Sequence, residues 1–501
     1  MEKRAFGIEL EYPIACRGKD KEFHTRFFVE SLATGVPVSM SPSIFIKEAL
    51  PFRDDAPERL KQLLFFPPEK RERWWLASNG ALFYFDIHDA KFPEYATPEC
   101  SNPREALIQS AAGDIIVEDL RQEALRLGLL GQRFGGRFND LFVFRMNTFF
   151  RENVISYDAA GCHENYMTLE EFTPSHRPDT KRFHEFCNFM VPFLQGRQIF
   201  DGAGGIRCDP AKGWQYVISQ RAFFIEKKSS GKTMGVGRGF IHFRDHRNDM
   251  FPQGKTRLHL HCGDSTMSPW GKYIAMIATH LVLRAIEEVD MRGWKYRFHP
   301  SYFKSDLQAL ASDPTLKTEI RVLEGDSLKK ISAMNLQREY AEFVQKAVKN
   351  FSPEERDMFR VWTAMIDKLS RDPMEASREL DWVIKLNFLR ERCGGDFGSK
   401  KARSASAFYH DISGRGIYNK LLLGGEVEPF AAKEEIEAAR FSPPPTRGEF
   451  RSRYLKVRLQ KPDDLSSYHQ WGVFTSAFGS ISIPDPLERT SVRGEDFLRG
   501  L

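Results

Sequence analysis

Two carboxylates occupy alternate positions near the start of the chain, in the stretch AFGIELEY at residues 5–12. The pattern is typical of a β-strand, in which Glu9 and Glu11 share one face and the apolar side chains share the other. Carboxylates at positions i and i+2 lie roughly 7 Å apart and repel each other unless water or a cation lies between them. Hard divalent cations such as Mg²⁺ take oxygen ligands of this kind and often hold phosphates as well. A solvated sheet face is the alternative that this strand alone leaves open.

A second strand is predicted at residues 82–86, directly after the turn signal Asn79-Gly80. Its phenylalanines, Phe83 and Phe85, form the face that is expected to pack in the core. Asp86 then ends the strand on the opposite face, which it shares with Tyr84. An acid in this position is either a turn residue or a reactive group that faces away from the core.

A third strand, RLHLH at residues 257–261, repeats the arrangement with cationic side chains. Its leucines pack on one face, while Arg257, His259 and His261 share the other. Three strands that each have one apolar face and one charged face predict a curved antiparallel sheet. Its concave side would bind a metal and an anion, for which phosphate is the natural candidate.

The composition describes an ordinary globular protein of 501 residues, long enough for two or three domains or for one large domain with an appendage. The net charge of +5 comes without any nucleic-acid-binding signature. The seven cysteines include no C-x-x-C pair, so neither a disulfide framework nor a zinc site of that type is expected. The sequence shows no apolar signal core and no apolar run of about 20 residues, and it predicts a cytoplasmic protein without a membrane partner.

Several longer elements surround these strands. Asn102-Pro103 and Ser268-Pro269 each begin a predicted helix, and three amphipathic helices are predicted within residues 337–393. Residues 17–73 have poor periodicity and recurrent prolines, which predicts a long loop at about 36–72. The prolines at 443–445 mark a boundary. We therefore predict a catalytic domain at residues 1–435 and a small C-terminal domain at residues 440–501.

Ordered motifs along almost the whole chain resemble those of the Pup ligase/depupylase family. They are GIELEY at 7–12, NGALFYFD at 79–86, PEYATPEC at 93–100, CHENYM at 162–167, ISQRA at 218–222, RLHLHCGDSTMS at 257–268 and DWVIKL at 381–386, followed by the late Trp471. The resemblance implies the α+β fold of glutamine synthetase and the carboxylate–amine ligases, with a curved antiparallel sheet and helices on its convex face.

The resemblance also implies roles for individual residues, with ATP and Mg²⁺ as cofactors. Asp86 matches the catalytic aspartate. The metal-binding positions match Glu9, Tyr84 and Glu94, and the nucleotide contacts match Thr97 and Trp471. Further metal candidates are Glu11, His163 and His259, and candidate phosphate ligands are Arg221 and Arg257. Leu82 departs from the family motif NGAR, whose arginine contacts the nucleotide, so arginine at position 82 is expected to tighten nucleotide binding.

Two opposite reactions are implied by the resemblance. A ligase would join the C-terminal glutamate of a small Pup-like modifier to a substrate lysine, with consumption of ATP. A depupylase would cleave that isopeptide bond, or deamidate the modifier. The long segment at 17–73 favours the depupylase, because the family's ligases have a shorter connection there. A phosphotransferase acting on another carboxylate and a binding protein without activity are further alternatives.

Overall fold

A computed structural model describes most of the chain. The described residues are 3–18, 23–24, 27–30, 37–40, 43–49, 74–85, 92–134, 137–148, 159–173, 180–232, 237–243, 250–291, 293–459, 472–476, 479–490 and 492–500. Two predicted site residues, Asp86 and Trp471, lie outside these ranges, as does most of the predicted loop at 36–72.

The described strands are short, and most have fewer than seven residues. In chain order they are β1 (Phe6–Glu11), β2 (Ile14–Gly18), β3 (Phe23–His24), β4 (Phe27–Glu30), β5 (Pro37–Met40), β6 (Trp74–Leu76), β7 (Leu82–Phe85), β8 (Pro93–Ala96), β9 (Phe138–Val143), β10 (Cys162–Leu169), β11 (Gly205–Asp209), β12 (Gly213–Val217), β13 (Lys227–Ser230), β14 (Gly239–His242), β15 (Lys255–Leu260), β16 (Tyr296–Phe298), β17 (Glu319–Glu324), β18 (Ser327–Ser332), β19 (Val473–Ser476) and β20 (Gly479–Ser482).

The described helices include several long ones that carry the core. In chain order they are α1 (Ser43–Ala49), α2 (Pro103–Arg126), α3 (Leu129–Phe134), α4 (Lys181–Asp201), α5 (Pro269–Val289), α6 (Phe303–Ala311), α7 (Ala333–Ala347), α8 (Pro353–Arg371), α9 (Asp381–Cys393), α10 (Lys400–Phe408), α11 (Ile417–Leu423), α12 (Lys433–Ala439), α13 (Arg447–Leu459) and α14 (Val492–Gly500). None of them has the length and apolar composition needed to cross a bilayer, within the part of the chain that the structure describes.

The chain divides into two compact units. The first unit comprises Met1–Arg145, Asp411–Gly416 and Ala431–Leu501, and the second comprises Met146–His410 and Ile417–Phe430. The domain boundaries predicted from the sequence, at 435 and 440, stay a prediction.

The first unit contains an antiparallel run of four strands in the order β1-β8-β7-β6. Leu10 of β1 pairs with Tyr95 of β8, and their shared face packs against α2. The approach is close, because a Cβ atom on Gly113 of α2 would lie only 2.4 Å from the ring of Tyr95. Phe83 and Phe85 are buried on this same face, as the alternation of the sequence predicts. The carboxylates of β1 and β8 therefore lie on the sheet face turned away from α2.

The second unit contains strands in the order β13-β14-β15-β10, antiparallel except for the parallel pair β13–β14. One face of β10 packs against α5 and carries a buried ionic network. Arg197 and Lys272 each contact both Glu164 and Asp201, with the Arg197–Glu164 pair at 2.7 Å and the Lys272–Asp201 pair at 3.0 Å. Because Glu164 is committed to this network, its neighbours His163 and Asn165 must lie on the other face of β10.

The predicted helix starts are confirmed. Asn102 caps α2 by accepting a hydrogen bond from the Glu105 N–H, and Ser268 caps α5 by accepting one from the Trp270 N–H. The three helices predicted within residues 337–393 correspond to α7, α8 and α9.

Regular elements interrupt the segment that was predicted as a long loop. Strand β5 and helix α1 lie within residues 36–72, and β3 and β4 lie just before them. Helix α1 contacts α2, and its side chains Phe45 and Ile46 are fully buried. The apolar residues of SIFIKEA are thus placed by contacts with distant helices, which local periodicity does not reveal.

Candidate active site

Three strands of the first unit bring four of the predicted metal-binding residues together. Glu11 of β1 lies opposite Glu94 of β8, and Glu94 lies opposite Tyr84 of β7. Glu9 occupies the same face two positions away, and its carboxylate lies within 4.8 Å of that of Glu94. Glu9 and Glu94 are 7% and 6% exposed. We call Glu9, Glu11 and Glu94 the carboxylate cluster.

The negative charges of the carboxylate cluster affect the pKa of the neighbouring Tyr84. Burial raises the pKa of Tyr84 well above its ordinary value, and the charges of Glu94 and Glu9 raise it further. The phenol therefore remains protonated and donates a hydrogen bond to Glu94. Two buried carboxylates this close repel each other, and a bound cation would relieve that repulsion. A set of carboxylate and phenol oxygens has the chemistry that Mg²⁺ prefers.

Thr97 lies beside the carboxylate cluster at the end of β8. Its hydroxyl accepts a hydrogen bond from the Ile8 N–H at 3.0 Å, and its own N–H donates to the Ile8 carbonyl at 2.9 Å. The side chain is only 2% exposed. These bonds hold β1 and β8 in register, and the predicted contact of Thr97 with nucleotide stays a prediction.

Leu82 lies on the same sheet face as the carboxylate cluster and is 1% exposed. It packs in an apolar cluster with Phe450, Tyr454 and Leu455 of α13 and with Phe474 of β19. The C-terminal segment thus covers the position at which the family motif has arginine.

A buried ionic contact fixes α13 to the end of β8. Glu99 receives a hydrogen bond from the Nε of Arg447 at 2.9 Å and one from the Nη1 of Arg451, also at 2.9 Å. Burial alone would raise the pKa of Glu99, but the two guanidinium groups outweigh it and hold that pKa below its ordinary value. No sequence motif pointed to this contact, because its partners are about 350 residues apart.

In the second unit, four histidines form a compact group on the face of the sheet that carries His163. His163 lies on β10, His242 on β14, His259 on β15, and His261 directly after β15. The ring of His261 is nearly parallel to those of His163, at 4.0 Å between centroids, and His242, at 4.5 Å. His259 packs edge-on against the other three. We call these four residues the histidine cluster.

The histidine cluster is almost completely buried, with exposures between 0% for His261 and 8% for His163. Nitrogen atoms of His163, His259 and His261 lie within 4.8 Å of one another. Burial and the neighbouring imidazoles hold the pKa of His261 well below its ordinary value. Its ring is therefore neutral near pH 7, the form in which imidazole binds metal ions.

The two candidate phosphate ligands differ in their surroundings. The guanidinium of Arg221 is buried and donates to the backbone carbonyls of His261, at 2.9 Å, and of Ala159, at 3.2 Å. Arg257 is half-buried on the same face of β15 as His259. Both phosphate roles stay predictions, and the contacts of Arg221 show that it also supports the backbone around the histidine cluster.

Asp264 and Asp381 connect the later motifs of the chain. Asp264 accepts hydrogen bonds from the Ser219 hydroxyl at 2.8 Å and from the Arg221 N–H at 2.9 Å. Asp381 accepts one from the Ser268 N–H at 3.0 Å, just before α5. The motifs ISQRA, RLHLHCGDSTMS and DWVIKL are thus held together by buried carboxylates.

The described site residues are distributed over the two compact units. Glu9, Glu11, Tyr84, Glu94 and Thr97 belong to the first unit, and His163, Arg221, Arg257 and His259 belong to the second. His242 was not among the residues predicted from the sequence, and His261 was predicted only as part of the cationic face of its strand. Alternation along residues 257–261 already placed His261 beside His259, whereas His242 ends a short strand that carries no comparable pattern.

Comparison with known proteins gives consistent matches along the chain. The profile of the Pup-ligase protein family matches residues 4–472. A protein named depupylase from Acidothermus cellulolyticus is 33% identical, over 76% of this chain and 71% of its own length. A protein named Pup–protein ligase from Actinosynnema mirum is 30% identical, over 99% of this chain and 97% of its own length.

Among solved structures, the Pup ligase PafA in complex with ADP has a similar fold. The TM-score is 0.70 at 23% identity, over 85% of this chain and 90% of that structure. The predicted α+β fold is thus confirmed. With a family match that covers most of its length, the chain belongs to the Pup-ligase protein family.

Proposed function

We propose that this protein is an ATP-dependent ligase that attaches a Pup-like modifier to a lysine of a substrate protein. The observation that carries the proposal is the match to a Pup–protein ligase over 99% of the chain. The length of the segment at 17–73, which favours the depupylase, remains a prediction from the sequence.

The reaction has two balanced steps. The C-terminal glutamate carboxylate of the modifier attacks the γ-phosphate of ATP, which forms an acyl phosphate and releases ADP. The lysine amine then attacks the acyl carbon, loses a proton to a base, and displaces inorganic phosphate. Asp86 is our proposed base for that proton.

The carboxylate cluster supports this chemistry as a site for Mg²⁺. Glu9, Glu94 and the Tyr84 oxygen would hold the ion, which when bound offsets the negative charge of the phosphates. The same cluster without a cation would repel ATP, so we expect nucleotide binding to require Mg²⁺. The ADP complex of PafA supports a nucleotide as the ligand. The cytoplasmic location predicted from the sequence is part of this proposal.

Depupylase activity is the second candidate, and a specific observation favours it. The Acidothermus relative named depupylase is 33% identical, slightly more than the ligase relative at 30%. In that reaction water replaces the amine, and the isopeptide or amide bond is cleaved.

One pair of assays separates these candidates. The enzyme is incubated with Mg²⁺ and ATP, either with a free Pup-type modifier ending in glutamate and a substrate protein, or with a purified conjugate of the two. Conjugation with one ADP per bond supports the ligase, whereas release of modifier without stoichiometric ADP supports the depupylase. ADP formation with neither product would favour a phosphotransferase instead, and no ADP and no product would contradict the enzyme proposal.

Two substitutions connect the assay to the proposed residues. Asp86→Asn keeps the size of the side chain but removes its basicity, and we expect at least about a 10²-fold loss of activity with ATP binding retained. Glu94→Gln removes one charge from the carboxylate cluster and should weaken Mg²⁺–ATP binding, measured by calorimetry. Full activity of Asp86→Asn would refute the role of that residue, whichever reaction is observed.

A further inference from the structure

Lys385 of α9 is a completely buried lysine whose surroundings differ from those of most buried lysines. Its side chain is 0% exposed, and its Nζ atom lies 2.7 Å from the Ala203 carbonyl oxygen and 2.8 Å from that of Gly204. The third contact of Nζ is the Nε2 of His410, at 2.5 Å. Within the described part of the chain, Lys385 forms no ion pair with a carboxylate. Fully buried lysines are rare unless they are paired, so these contacts need a physical explanation.

A second buried lysine shows the paired arrangement. Lys272 is also 0% exposed, but it forms ion pairs with Asp201 at 3.0 Å and Glu164 at 3.2 Å. Burial alone would lower the pKa of Lys272, but the charges of Asp201 and Glu164 outweigh it and raise that pKa above its ordinary value. Burial instead lowers the pKa of Lys385 from its ordinary 10.5 to about 7. Near neutral pH, Lys272 therefore stays charged, whereas Lys385 exchanges its proton.

The three contacts of Lys385 match a neutral amine. Such an amine has two N–H groups, which donate to the two carbonyls, and one lone pair, which accepts the Nε2–H of a neutral His410. The charged alternative is an ammonium group that donates its third N–H to the Nε2 of His410. Both forms satisfy the three contacts, but only the neutral form avoids a buried charge without an ion pair.

The other titratable groups around this lysine come from three parts of the second unit. Asp381 lies one turn earlier on α9, and Asp264 follows β15; both charges raise the pKa of Lys385 but do not outweigh its burial. Tyr409, at the end of α10, places its ring centroid 4.8 Å from the Nζ atom. Burial raises the pKa of Asp381 to about 6, so its negative charge also weakens on acidification. The turn after α4 contributes only its backbone carbonyls.

This turn after α4 is connected to the candidate site residues of the second unit. The Ala203 N–H donates to Asp264 at 2.9 Å, and the Gly204 carbonyl also accepts a hydrogen bond from the Nε2 of Gln220 at 2.7 Å. Asp264 accepts a further hydrogen bond from the Arg221 N–H at 2.9 Å, and the Arg221 guanidinium supports the backbone around the histidine cluster. A movement of the turn would therefore change the support of the strands that carry these histidines.

We propose that Lys385, His410 and the turn after α4 form a pH-sensitive latch, which is closed when the lysine is neutral and loosens when it takes up a proton. The reason is that water stabilises the ammonium charge better than the buried site does. Between about pH 7 and pH 10.5 the open state binds more protons than the closed state, so opening becomes more favourable as the pH falls. Below about pH 7 this lysine adds no further change. The effect of the latch on catalysis rests on the proposed function, whereas its titration does not.

The test is amide hydrogen exchange of the full-length protein as a function of pH, without nucleotide or modifier. Rates are corrected for the intrinsic rise of exchange with pH, and peptides that contain Ala203 or Arg221 report the opening of the latch. We expect their opening constants to increase by up to about tenfold for each unit by which the pH falls from about pH 9 to about pH 7. Amides of the exposed edge strand β18 should show no such change, because their opening does not bring water to Lys385.

Lys385→Met removes the titrating group and keeps an unbranched side chain. It should abolish the pH dependence of opening in the two latch peptides, whatever its effect on the level of protection. Lys400→Met is the matched control, because it makes the same chemical change at an exposed lysine of α10. It should retain the pH dependence of the wild type.

Three results would overturn the proposal. They are a wild-type latch whose corrected exchange does not depend on pH, equal pH dependence in Lys385→Met and the wild type, and loss of the dependence in Lys400→Met as well. If Lys385→Met does not fold, His410→Glu takes its place. Its carboxylate gives Lys385 an ion pair of the kind that Lys272 has, which keeps the lysine charged and should abolish the dependence equally. Since neither ATP nor modifier is present, failure of this test and failure of the ligase proposal are independent outcomes.

Discussion

Replacing Leu82 by arginine restores the residue of the family motif at a position that this fold covers with apolar side chains. Leu82 is 1% exposed and packs against Phe450, Tyr454 and Leu455 of α13. Removing a buried leucine forfeits about 1.5–3 kcal/mol of burial free energy. A guanidinium placed there adds a desolvation cost of several kcal/mol per ion. We therefore expect Leu82→Arg to lower the free energy of unfolding by about 4 kcal/mol or more, a large part of the 5–15 kcal/mol typical of proteins.

The pairing register of β7, β8 and β1 also predicts how Leu82→Arg affects nucleotide binding. Leu82 lies opposite Ala96, and Ala96 lies opposite Glu9 on the neighbouring strand. With strands about 4.8 Å apart, Glu9 is roughly 10 Å from Leu82 on the same face. An arginine side chain that extends out of the apolar cluster would reach toward Glu9. Its guanidinium would then compete with Mg²⁺ for the Glu9 carboxylate. We expect weaker Mg²⁺–ATP binding, the opposite of what the family motif alone predicts.

Urea denaturation and calorimetry measure the two effects. Leu82→Met preserves volume and polarity and should cost less than about 1.5 kcal/mol. Leu423→Arg makes the same chemical change at a leucine that is 84% exposed, and it should change stability by no more than about 0.5 kcal/mol. The expectation is contradicted if the free energy of unfolding of Leu82→Arg lies within 1 kcal/mol of that of the wild type and the variant binds ATP more tightly. That result would show that the apolar side chains around Leu82 do not cover it in solution.

Two further substitutions test the packing of the first unit. Phe45→Ala should lower the free energy of unfolding by about 3–5 kcal/mol, because Phe45 is fully buried; a change below 1 kcal/mol in urea denaturation would show that α1 does not pack as described. Glu99→Gln leaves the buried Arg447 and Arg451 without their carboxylate and should cost about 3–5 kcal/mol near pH 7. The folded-state pKa of Glu99 lies below its unfolded value, so its stabilisation is complete above about pH 4.3 and is lost as the pH falls through the folded-state value. The difference between wild type and Glu99→Gln should therefore shrink in acid, and a constant difference in denaturation curves from pH 7 to pH 3 would contradict this account.

Which side chains share one face of a site strand could be predicted from the sequence. Which residues lie opposite them on the neighbouring strands could not. The two-residue period of a strand fixes that Glu9 shares a face with Glu11 and that His259 shares one with His261. Which side chains then lie opposite depends on register, as in the pairing of Glu11 with Glu94 across more than 80 residues. The motif resemblance supplied what periodicity lacked, because it joined the separate strands into one expected site.

The same limit explains why the burial of Leu82 and the packing of His242 were not predicted. Nothing near Leu82 in the sequence indicates that a helix more than 360 residues later covers it. His242 ends a strand of four residues, and the histidine rings beside it are brought there by residues of the neighbouring strands. Both features arise from long-range packing, which local pattern does not encode.

The C-terminal segment completes the sheet face that carries the carboxylate cluster. Phe450 and Tyr454 cover Leu82, and Tyr84 packs partly against the same apolar cluster while it donates to Glu94. A shift of α13 would therefore change the surroundings of the Tyr84 hydroxyl and, through it, the orientation of the Glu94 carboxylate, which is a proposed metal ligand. The Glu99 ion pairs oppose such a shift, because moving α13 would leave buried charges without partners. Residues far apart in the sequence thus act on the proposed metal ligands through two separate contacts, one apolar and one ionic.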